Sequence, residues 1–363
     1  MHGPRGHVPD GLASAYPVGM EHRVTLADVA RTAGVSLATA SRAINGSTKR
    51  TVGAALRERV LAAAADLNYA PDGIAQAMAR GHTASLGLVV HDITDPYFSA
   101  IAAGVTAAAR RARLAVTLAT TDFDPAREAA LVDLLQGQRV RAIVLAGGRL
   151  TDEDGNAELR GALAHYVALG GQVAAIGQPT LGVNTVVVAN HDAASDLARA
   201  LHGYGYRRFA VLAGLQGQLT ANDRRDGFLS GLRSCGVMVD PGAIITCAFT
   251  RDGGYDGVNR LIEAGTDAEV VFAVNDVMAV GAMAGIRDLG MVVPRDMAVA
   301  GFDDIATLRD VTPGLSTIHI PLVAMGSTAT DLALSAPGAS PRLVTIKGTV
   351  ILRGSTPRLP IGS

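Results

Sequence analysis

Residues 25–46 read Thr-Leu-Ala-Asp-Val-Ala-Arg-Thr-Ala-Gly-Val-Ser-Leu-Ala-Thr-Ala-Ser-Arg-Ala-Ile-Asn-Gly. This stretch predicts two short helices joined by a tight turn. Thr25 can cap the first helix, because Asp28 stands three residues later in the position of a capping box. Gly34 ends that helix where a positive φ is needed, and Ser36 caps the second helix. The pattern is that of a helix-turn-helix.

The outward-facing residues of the second helix favour contact with DNA. Leu37 and Ala38 lie at its N-terminal end, where a recognition helix reads base edges. Both are apolar, so they can touch a thymine methyl group but cannot form bidentate hydrogen bonds. Arg42 can bind a guanine or a phosphate. A solvated amphipathic hairpin is the alternative, although such a hairpin rarely exposes Leu and Ala at a helix start. Four polar residues are suited to contacts with the DNA phosphates, which position the helix on the duplex: Thr25, Thr39, Ser41 and Asn45.

A third helix is predicted by apolar residues at helical spacing, and it closes a small core with the first two. These residues are Leu56, Val60, Ala64 and Leu67. In this order the motifs Val35–Gly46, Arg57–Ala64 and Leu67–Pro71 resemble those of the lactose-repressor (LacI/GalR) family of bacterial transcription regulators. The resemblance covers almost all of residues 23–356 and implies that Tyr69 also contacts DNA.

After Pro71 the resemblance implies a short hinge helix that orders on DNA and enters the minor groove. Ala75 and Met78 occupy the matching positions. Methionine is apolar and flexible, so Met78 can wedge between base steps where the family usually has leucine. Gly73 weakens this helix by about 1 kcal/mol relative to alanine. A plain linker helix is the alternative for residues 71–83.

Charge is distributed unevenly along the chain. The 363 residues have a net charge of −1 and are 48% hydrophobic, which suits two or three domains with a large core. Residues 22–81 contain eight Lys and Arg against four Asp and Glu, so this segment carries +4 and the remainder −5. A basic head on an acidic body suits phosphate contact by one end of the molecule.

Several classes of protein are disfavoured by what the sequence lacks. Two cysteines, Cys235 and Cys247, form no disulfide framework and favour a reducing cytoplasm, where we expect the protein at the nucleoid. We find neither an apolar run long enough for a membrane span nor a signal peptide in residues 1–22, which we expect to be a disordered tail. Translation starts at Met1 or at Met20. The nine histidines show no ligand spacing and no catalytic motif is present, so we expect no metal, no cofactor and no enzyme.

The rest of the chain alternates apolar strands with amphipathic helices, which predicts parallel sheets with helices on both faces. The length exceeds one ordinary sheet, and the family has a two-lobed body that resembles periplasmic sugar-binding proteins. We therefore expect a DNA-binding domain over 23–70 and a body over 84–356. The N-lobe would comprise about 84–188 and 315–337, and the C-lobe about 189–312 and 340–356. The resemblance implies that the chain crosses between the lobes three times, near 188–190, 312–317 and 335–341. The predicted strands are Ser85–His91, Ala115–Ala119, Ala142–Leu145, Gln172–Ile176, Arg208–Leu212, Val270–Val274 and Ala298–Gly301.

Ligands bind beyond the carboxyl ends of strands in such sheets. The loop from Asp92 to Phe98 resembles the family's Asp-x-x-Asn-Pro-Phe-Phe loop, and Arg224 matches its Arg-x-x-Gly-Phe motif. Carboxylates, an amide and a guanidinium group around aromatic rings suit a polyhydroxylated ligand, although each residue alone could be a helix cap or a salt-bridge partner. The expected effector-binding residues are Asp95, Tyr97, Phe98, Thr121, Asp122, Arg224, Asn275 and Asp303.

These features predict a homodimeric repressor that binds a pseudo-palindromic operator under the control of a small molecule. The effector, a sugar or sugar derivative between the lobes, would change the angle between them and so the docking of the hinge segments. A periplasmic-type solute-binding protein is the alternative for the body alone, but the basic head disfavours it.

Overall fold

The computed structural model describes residues 24–45, 52–70, 81–124, 126–336 and 338–360. It consists of two compact units, a small helical unit and an α/β unit that begins at Gly81. The expected tail (1–22) and most of the hinge segment, including Ala75 and Met78, lie outside the described residues.

The helical unit contains helices α1 (Leu26–Thr32), α2 (Leu37–Asn45) and α3 (Ala54–Asp66). The Thr25 amide and hydroxyl both donate to the Asp28 carboxylate, at 2.9 and 2.7 Å, and these bonds lower the pKa of Asp28 to about 2. Gly34 has a φ of +62°, so the turn needs a residue without a Cβ. The helix-turn-helix prediction is confirmed. The buried core of this unit is Val29, Ala30, Ala33, Ala40, Ala43, Val60 and Ala63.

The α/β unit contains two parallel sheets, each with its own lobe. The N-lobe strands are β1 (Ser85–Val90), β2 (Ala115–Thr120), β3 (Ala142–Ala146), β4 (Gln172–Ile176) and β5 (Asn184–Val188), joined by a late strand, β11 (Leu343–Ile346). Their order is β11-β5-β4-β3-β1-β2. The N-lobe helices are α4 (Pro96–Arg111), α5 (Ala126–Gly137), α6 (Glu153–Ala168) and α11 (Leu322–Leu334).

The C-lobe sheet has four strands in the order β7-β6-β8-β9. The strands are β6 (Phe209–Ala213), β7 (Ile244–Thr246), β8 (Val270–Ala273) and β9 (Ala298–Ala300). Its helices are α7 (Asn190–Gly203), α8 (Leu219–Ser234), α9 (Arg251–Glu263) and α10 (Asp276–Asp288), with short 3-10 helices at Pro241–Ala243 and Ala306–Asp310. Strands such as Val270–Ala273 are buried at every residue, as expected for a sheet covered by helices on both faces.

The three connections between the lobes correct part of the predicted division. The first lies between Val188 and Asn190. Strand β10 (Thr317–His319) still pairs with β12 (Thr349–Ile351), and Ser316 bridges to Ala300, so the second connection follows His319 instead of falling within 312–317. Strand β11 pairs with β5, which moves the third connection to 346–349 from the predicted 335–341. The assignment of residues 315–319 to the N-lobe and of 343–346 to the C-lobe was therefore wrong. Strand pairing joins residues that are distant in sequence, and the local sequence pattern does not show it.

Helix α11 belongs to the N-lobe because it packs closely on α4. A Cβ atom at Gly104 would lie 1.9 Å from the carbonyl oxygen of Val323, and one at Gly326 would lie 2.2 Å from that of Ile101. The two helices can approach only where both lack a side chain.

Candidate functional site

A cavity of about 320 Å³ opens between the two lobes of the α/β unit. Its walls come from loops at the carboxyl ends of strands of both sheets, as the topology of parallel sheets requires. On the N-lobe side the loops follow β1, β2 and β3, and on the C-lobe side they follow β6, β8 and β9. The volume lies at the lower end of the range for ligand pockets, about 300–1,000 Å³.

The C-lobe wall is organised by the side chain of Arg224, of which only 2% is exposed. Its guanidinium group donates to both oxygens of Asp303, at 2.7 and 3.1 Å. It also donates to the side-chain oxygen of Asn190 and to the carbonyl of Val274, each at 2.9 Å. The guanidinium lies 3.9 Å above the ring centroid of Phe302. Arg224 is therefore held rigidly by its own lobe.

Two buried carboxylates belong to this wall: Asp303 lines the cavity, and Asp276 lies behind it. Asp276 accepts hydrogen bonds from the hydroxyl of Thr317 at 2.6 Å and the amide of Ile305 at 3.0 Å. Burial raises the pKa of Asp276 to about 6 and that of Asp303 to about 7. The guanidinium of Arg224 opposes the shift at Asp303 by favouring the ionised carboxylate. Asp303 has a φ of +120°, a conformation that L-residues rarely adopt, and its bidentate pair holds it there.

The N-lobe wall places aromatic rings beside a carboxylate. Asp95 caps α4 by accepting from the amide of Tyr97 at 2.9 Å, and burial raises its pKa. The rings of Tyr97 and Phe98 meet edge to face with centroids 5.0 Å apart. Asn275 on the opposite wall caps α10 in the same way, accepting from the amide of Met278 at 2.9 Å. The cap uses its oxygen, so the NH₂ end is the group left for a ligand.

The N-lobe wall also contains a buried ion pair that the sequence analysis did not predict. Arg149 and Glu128 form a bidentate ion pair in which both residues are buried. His91 lies beside them, and burial lowers its pKa. Its ring stacks on Phe123 with centroids 5.2 Å apart and meets Phe98 edge to face at 5.5 Å. His91 is the last residue of a predicted strand and Phe123 comes four residues after another, so the rule on strand ends could have found them.

Hydrogen bonds join the two lobes at the edge of the cavity. The amide of Leu219 donates to the carbonyl of Arg149 at 3.0 Å, and that of Thr151 donates to the carbonyl of Gly217 at 2.9 Å. The side-chain amide of Gln178 donates to the Thr220 hydroxyl at 2.9 Å. The lobes are therefore in direct contact.

Six of the eight expected effector-binding residues line the cavity, namely Asp95, Tyr97, Phe98, Arg224, Asn275 and Asp303. Thr121 and Asp122 do not line it. Thr121 is buried and hydrogen-bonds to His91 at 2.9 Å, so it supports the wall from behind. Asp122 is exposed and forms an ion pair with Arg127. The chain turns at this point through positive φ values of 52° at Asp122 and 61° at Phe123, and this turn brings Phe123 to the cavity in place of Asp122.

The second candidate surface is the exposed face of α2 in the helical unit. Leu37 is 54% exposed at the start of the helix, and Ala38 beside it is also exposed. Arg42 is half-buried and its Nε donates to the carbonyl of Ala38 at 2.9 Å, so its side chain lies along the helix. The remaining predicted contacts of this unit are exposed (Thr25) or half-buried (Thr39, Ser41, Asn45 and Tyr69).

Other kinds of site find no support in the part of the chain that the structure describes. No group of three or more His, Cys, Asp or Glu there is arranged to hold a metal ion. Within the same ranges, no helix has both the length and the apolar character to span a bilayer.

Comparison with known proteins assigns both units to a family. Residues 25–72 match the model for bacterial regulatory proteins of the lacI family, and residues 198–356 match that for a periplasmic binding protein-like domain. The chain is 32% identical over 345 residues to the HTH-type transcriptional repressor CytR of Escherichia coli (strain K12), covering 94% of this chain and 98% of that protein. It is 30% identical over 312 residues to the HTH-type transcriptional repressor PurR of Haemophilus influenzae (strain PittEE), covering 85% and 90%.

Solved structures agree with this assignment. The lac repressor dimer bound to operator and the anti-inducer ONPF has the same fold, with a TM-score of 0.78 at 24% identity over 92% of this chain and 99% of that one. The complex of the transcriptional regulator CelR with cellobiose gives a TM-score of 0.67 at 27% identity, over 92% and 100%. The relatives are regulators and not enzymes, and the helix-turn-helix decides against a solute-binding protein. The chain belongs to the LacI family and is a DNA-binding transcriptional repressor that responds to a small-molecule effector.

Proposed function

We propose that the effector of this repressor is a sugar or sugar derivative that binds in the cavity between the lobes. One observation supports this most strongly: residues of both lobes line the same cavity, with Asp95 and Phe98 on one wall and Asn275 and Asp303 on the other. A ligand that contacts both walls favours one angle between the lobes over another. Differential binding of this kind is what allosteric control requires.

The chemistry of the walls suits a polyhydroxylated ring. Carboxylate oxygens accept hydrogen bonds from hydroxyl groups, and the side-chain NH₂ of Asn275 can donate to a hydroxyl or ring oxygen. The aromatic rings of Tyr97, Phe98 and Phe123 offer apolar surface to the faces of a sugar ring. Small-molecule sites commonly combine such apolar walls with a few polar groups that fix orientation.

We further propose that the repressor acts in the cytoplasm, at the nucleoid, as a homodimer on a pseudo-palindromic operator. The lac repressor is solved as a dimer on its operator, which supports this assembly. In the head, Leu37 and Ala38 would read bases, while Arg42 and the polar residues around it would bind the backbone. Coupling of about 1–3 kcal/mol between effector and operator sites would change operator affinity roughly 5–150-fold.

The test is a titration of the purified repressor against DNA from its own upstream region, with fluorescence anisotropy as readout. Monosaccharides, disaccharides and polyols are first screened for a rise in the unfolding temperature and then added to the DNA titration. We expect a sequence-selective, salt-sensitive complex whose affinity changes at least fivefold with one of these sugars. A complex that no sugar alters would refute the proposal for the cavity.

Two neighbouring acids on one loop provide a matched pair of variants. Asp95→Asn keeps a residue that can cap α4 but removes the charge that faces the cavity. Asp92 does not line the cavity, and its carboxylate accepts a hydrogen bond from the amide of Thr94 at 2.8 Å. Asp92→Asn therefore removes a charge from the same loop but not from the cavity. We expect the sugar response to weaken at least tenfold in Asp95→Asn and to persist in Asp92→Asn. Equal responses in the two variants would place the ligand elsewhere.

A further inference from the structure

We propose that the cavity accepts uncharged ligands and rejects those that carry a phosphate or carboxylate group. The inference rests on the proposed function, because it concerns the ligand of the same cavity. It follows from the state of the arginines: two of them line the cavity, Arg149 and Arg224, and each is already bound by a carboxylate of its own lobe through both terminal nitrogens.

Arg224 has little capacity left for a ligand anion. Of its five N–H groups, one donates to Asn190, one to Val274 and at least two to Asp303. Its side chain is 2% exposed and that of Asp303 is 5% exposed. A ligand carboxylate would have to displace Asp303 from the guanidinium and leave this buried acid without its partner, which is unfavourable.

Arg149 is paired in the same manner on the opposite wall. Its Nη2 donates to Glu128 at 2.7 Å and to the carbonyl of Gly147 at 3.4 Å, and its Nη1 donates to the other oxygen of Glu128. The side chains are 5% and 8% exposed. His91, the neighbouring titratable group, supplies no compensating charge, because burial lowers its pKa and keeps the ring neutral.

Helix N-termini are the other common anion sites in α/β proteins, and here three of those at the cavity are capped by the chain itself. Asp95 caps α4, Asp152 caps α6 and Asn275 caps α10, each accepting from an amide of the first turn. At a further helix, α8, the first amide, that of Leu219, donates to the carbonyl of Arg149. A phosphate at any capped end would meet a carboxylate or an amide oxygen.

The formal charge of the lining is therefore negative. With every carboxylate ionised, the four of Asp95, Glu128, Asp152 and Asp303 stand against two guanidinium groups, which leaves −2. An anionic ligand would lose its hydration and then face like charge, whereas hydroxyl groups of an uncharged ligand can donate to these oxygens.

The decisive variant is Glu128→Gln, which leaves Arg149 without its counter-charge. Inorganic phosphate is the probe, and sodium chloride at equal ionic strength is the reference. For the wild-type repressor we expect the same unfolding temperature in both salts. For Glu128→Gln we expect a lower temperature in chloride and a phosphate-dependent rise of about 3 °C at a tenfold excess over Kd. Glu158→Gln, which removes one negative charge from an exposed position on α6, is the matched control and should behave as wild type.

Two results of the phosphate experiment would overturn the inference. One is a phosphate-specific rise in the unfolding temperature of the wild type that is no larger in Glu128→Gln, and the other is the absence of such a rise in Glu128→Gln. If that variant does not fold, the wild-type repressor is compared with D-glucose, D-glucose 6-phosphate and D-glucuronate, together with every sugar that changes operator binding. In that comparison, a charged sugar that stabilises the protein more than the corresponding neutral sugar would overturn the inference. Failure of every small molecule to change operator binding would instead refute the proposed function.

Discussion

Replacing Arg224 by methionine should destabilise the α/β unit, and the loss should grow with pH. Methionine preserves much of the volume but leaves Asp303 buried without its partner. Breaking a buried ion pair by removing one partner costs about 3–5 kcal/mol where the other group stays charged in a medium of low dielectric constant. At pH values below its pKa, Asp303 avoids part of this cost by binding a proton, so the full cost is reached only at higher pH. The two hydrogen bonds of Arg224 to Asn190 and Val274 are lost as well.

The pH dependence follows from the titration of Asp303. Its pKa is 3.8 when unperturbed and about 7 in the folded protein, so the folded state binds more protons between these values and its stability falls as pH rises through them. Without the guanidinium, the pKa of Asp303 rises above 7. Between pH 7 and this new pKa the variant loses a further ~1.4 kcal/mol per pH unit relative to wild type.

For the partner variant Asp303→Asn, the destabilisation relative to wild type should fall with pH instead of rising. In the wild type, the titration of Asp303 lowers the free energy of unfolding as the pH rises to 7, and the variant lacks this titration. The destabilisation caused by Asp303→Asn should therefore shrink by ~1.4 kcal/mol from pH 6 to pH 7 and then stay level.

Urea denaturation at pH 6, 7 and 8 measures both slopes. The near-ultraviolet circular dichroism of tyrosine is a suitable probe, since five of the seven tyrosines lie in the α/β unit and the chain contains no tryptophan. A probe that reports mainly on one unit is needed because a two-unit protein does not unfold as a single two-state system. A cost for Arg224→Met that is equal at pH 7 and pH 8, or below 1 kcal/mol, would refute the reasoning.

Three further predictions concern the rest of the molecule. Leu37→Glu should weaken operator binding at least tenfold, because a carboxylate would face the DNA, while Arg233→Ala on the surface of the α/β unit should leave anisotropy titrations unchanged. Gly34→Ala should destabilise the helical unit by about 1 kcal/mol, since its φ of +62° is unfavourable for alanine, and thermal unfolding of the full chain should show an earlier first transition; an unchanged transition would contradict this. Asp276→Asn should flatten the fall in stability of the α/β unit between pH 4 and pH 6, a contribution on the order of 3 kcal/mol from a pKa raised from 3.8 to about 6; an undiminished slope in urea titrations would assign the effect to other groups.

Local physical chemistry made the helical unit predictable from sequence. Its caps, turn glycine and small apolar residues act within a few positions of one another, so the sequence shows them together. Thr25 with Asp28, Gly34, and the buried Ala40 and Ala43 all take the roles that their spacing predicts.

The alternation of strands and helices, and the rule that ligands bind at strand ends, likewise predicted two parallel sheets and six of the cavity residues. What the sequence by itself determined was thus the order of the elements and which of their ends carry polar side chains. Only the tertiary structure decided which strands pair and which side chains are free. It paired β11 with β5, turned Phe123 into the cavity in place of Asp122, and neutralised Arg149 with Glu128 of helix α5. These outcomes depend on contacts between residues distant in sequence, and the availability of a charged group is set by such a partner and not by the residue type.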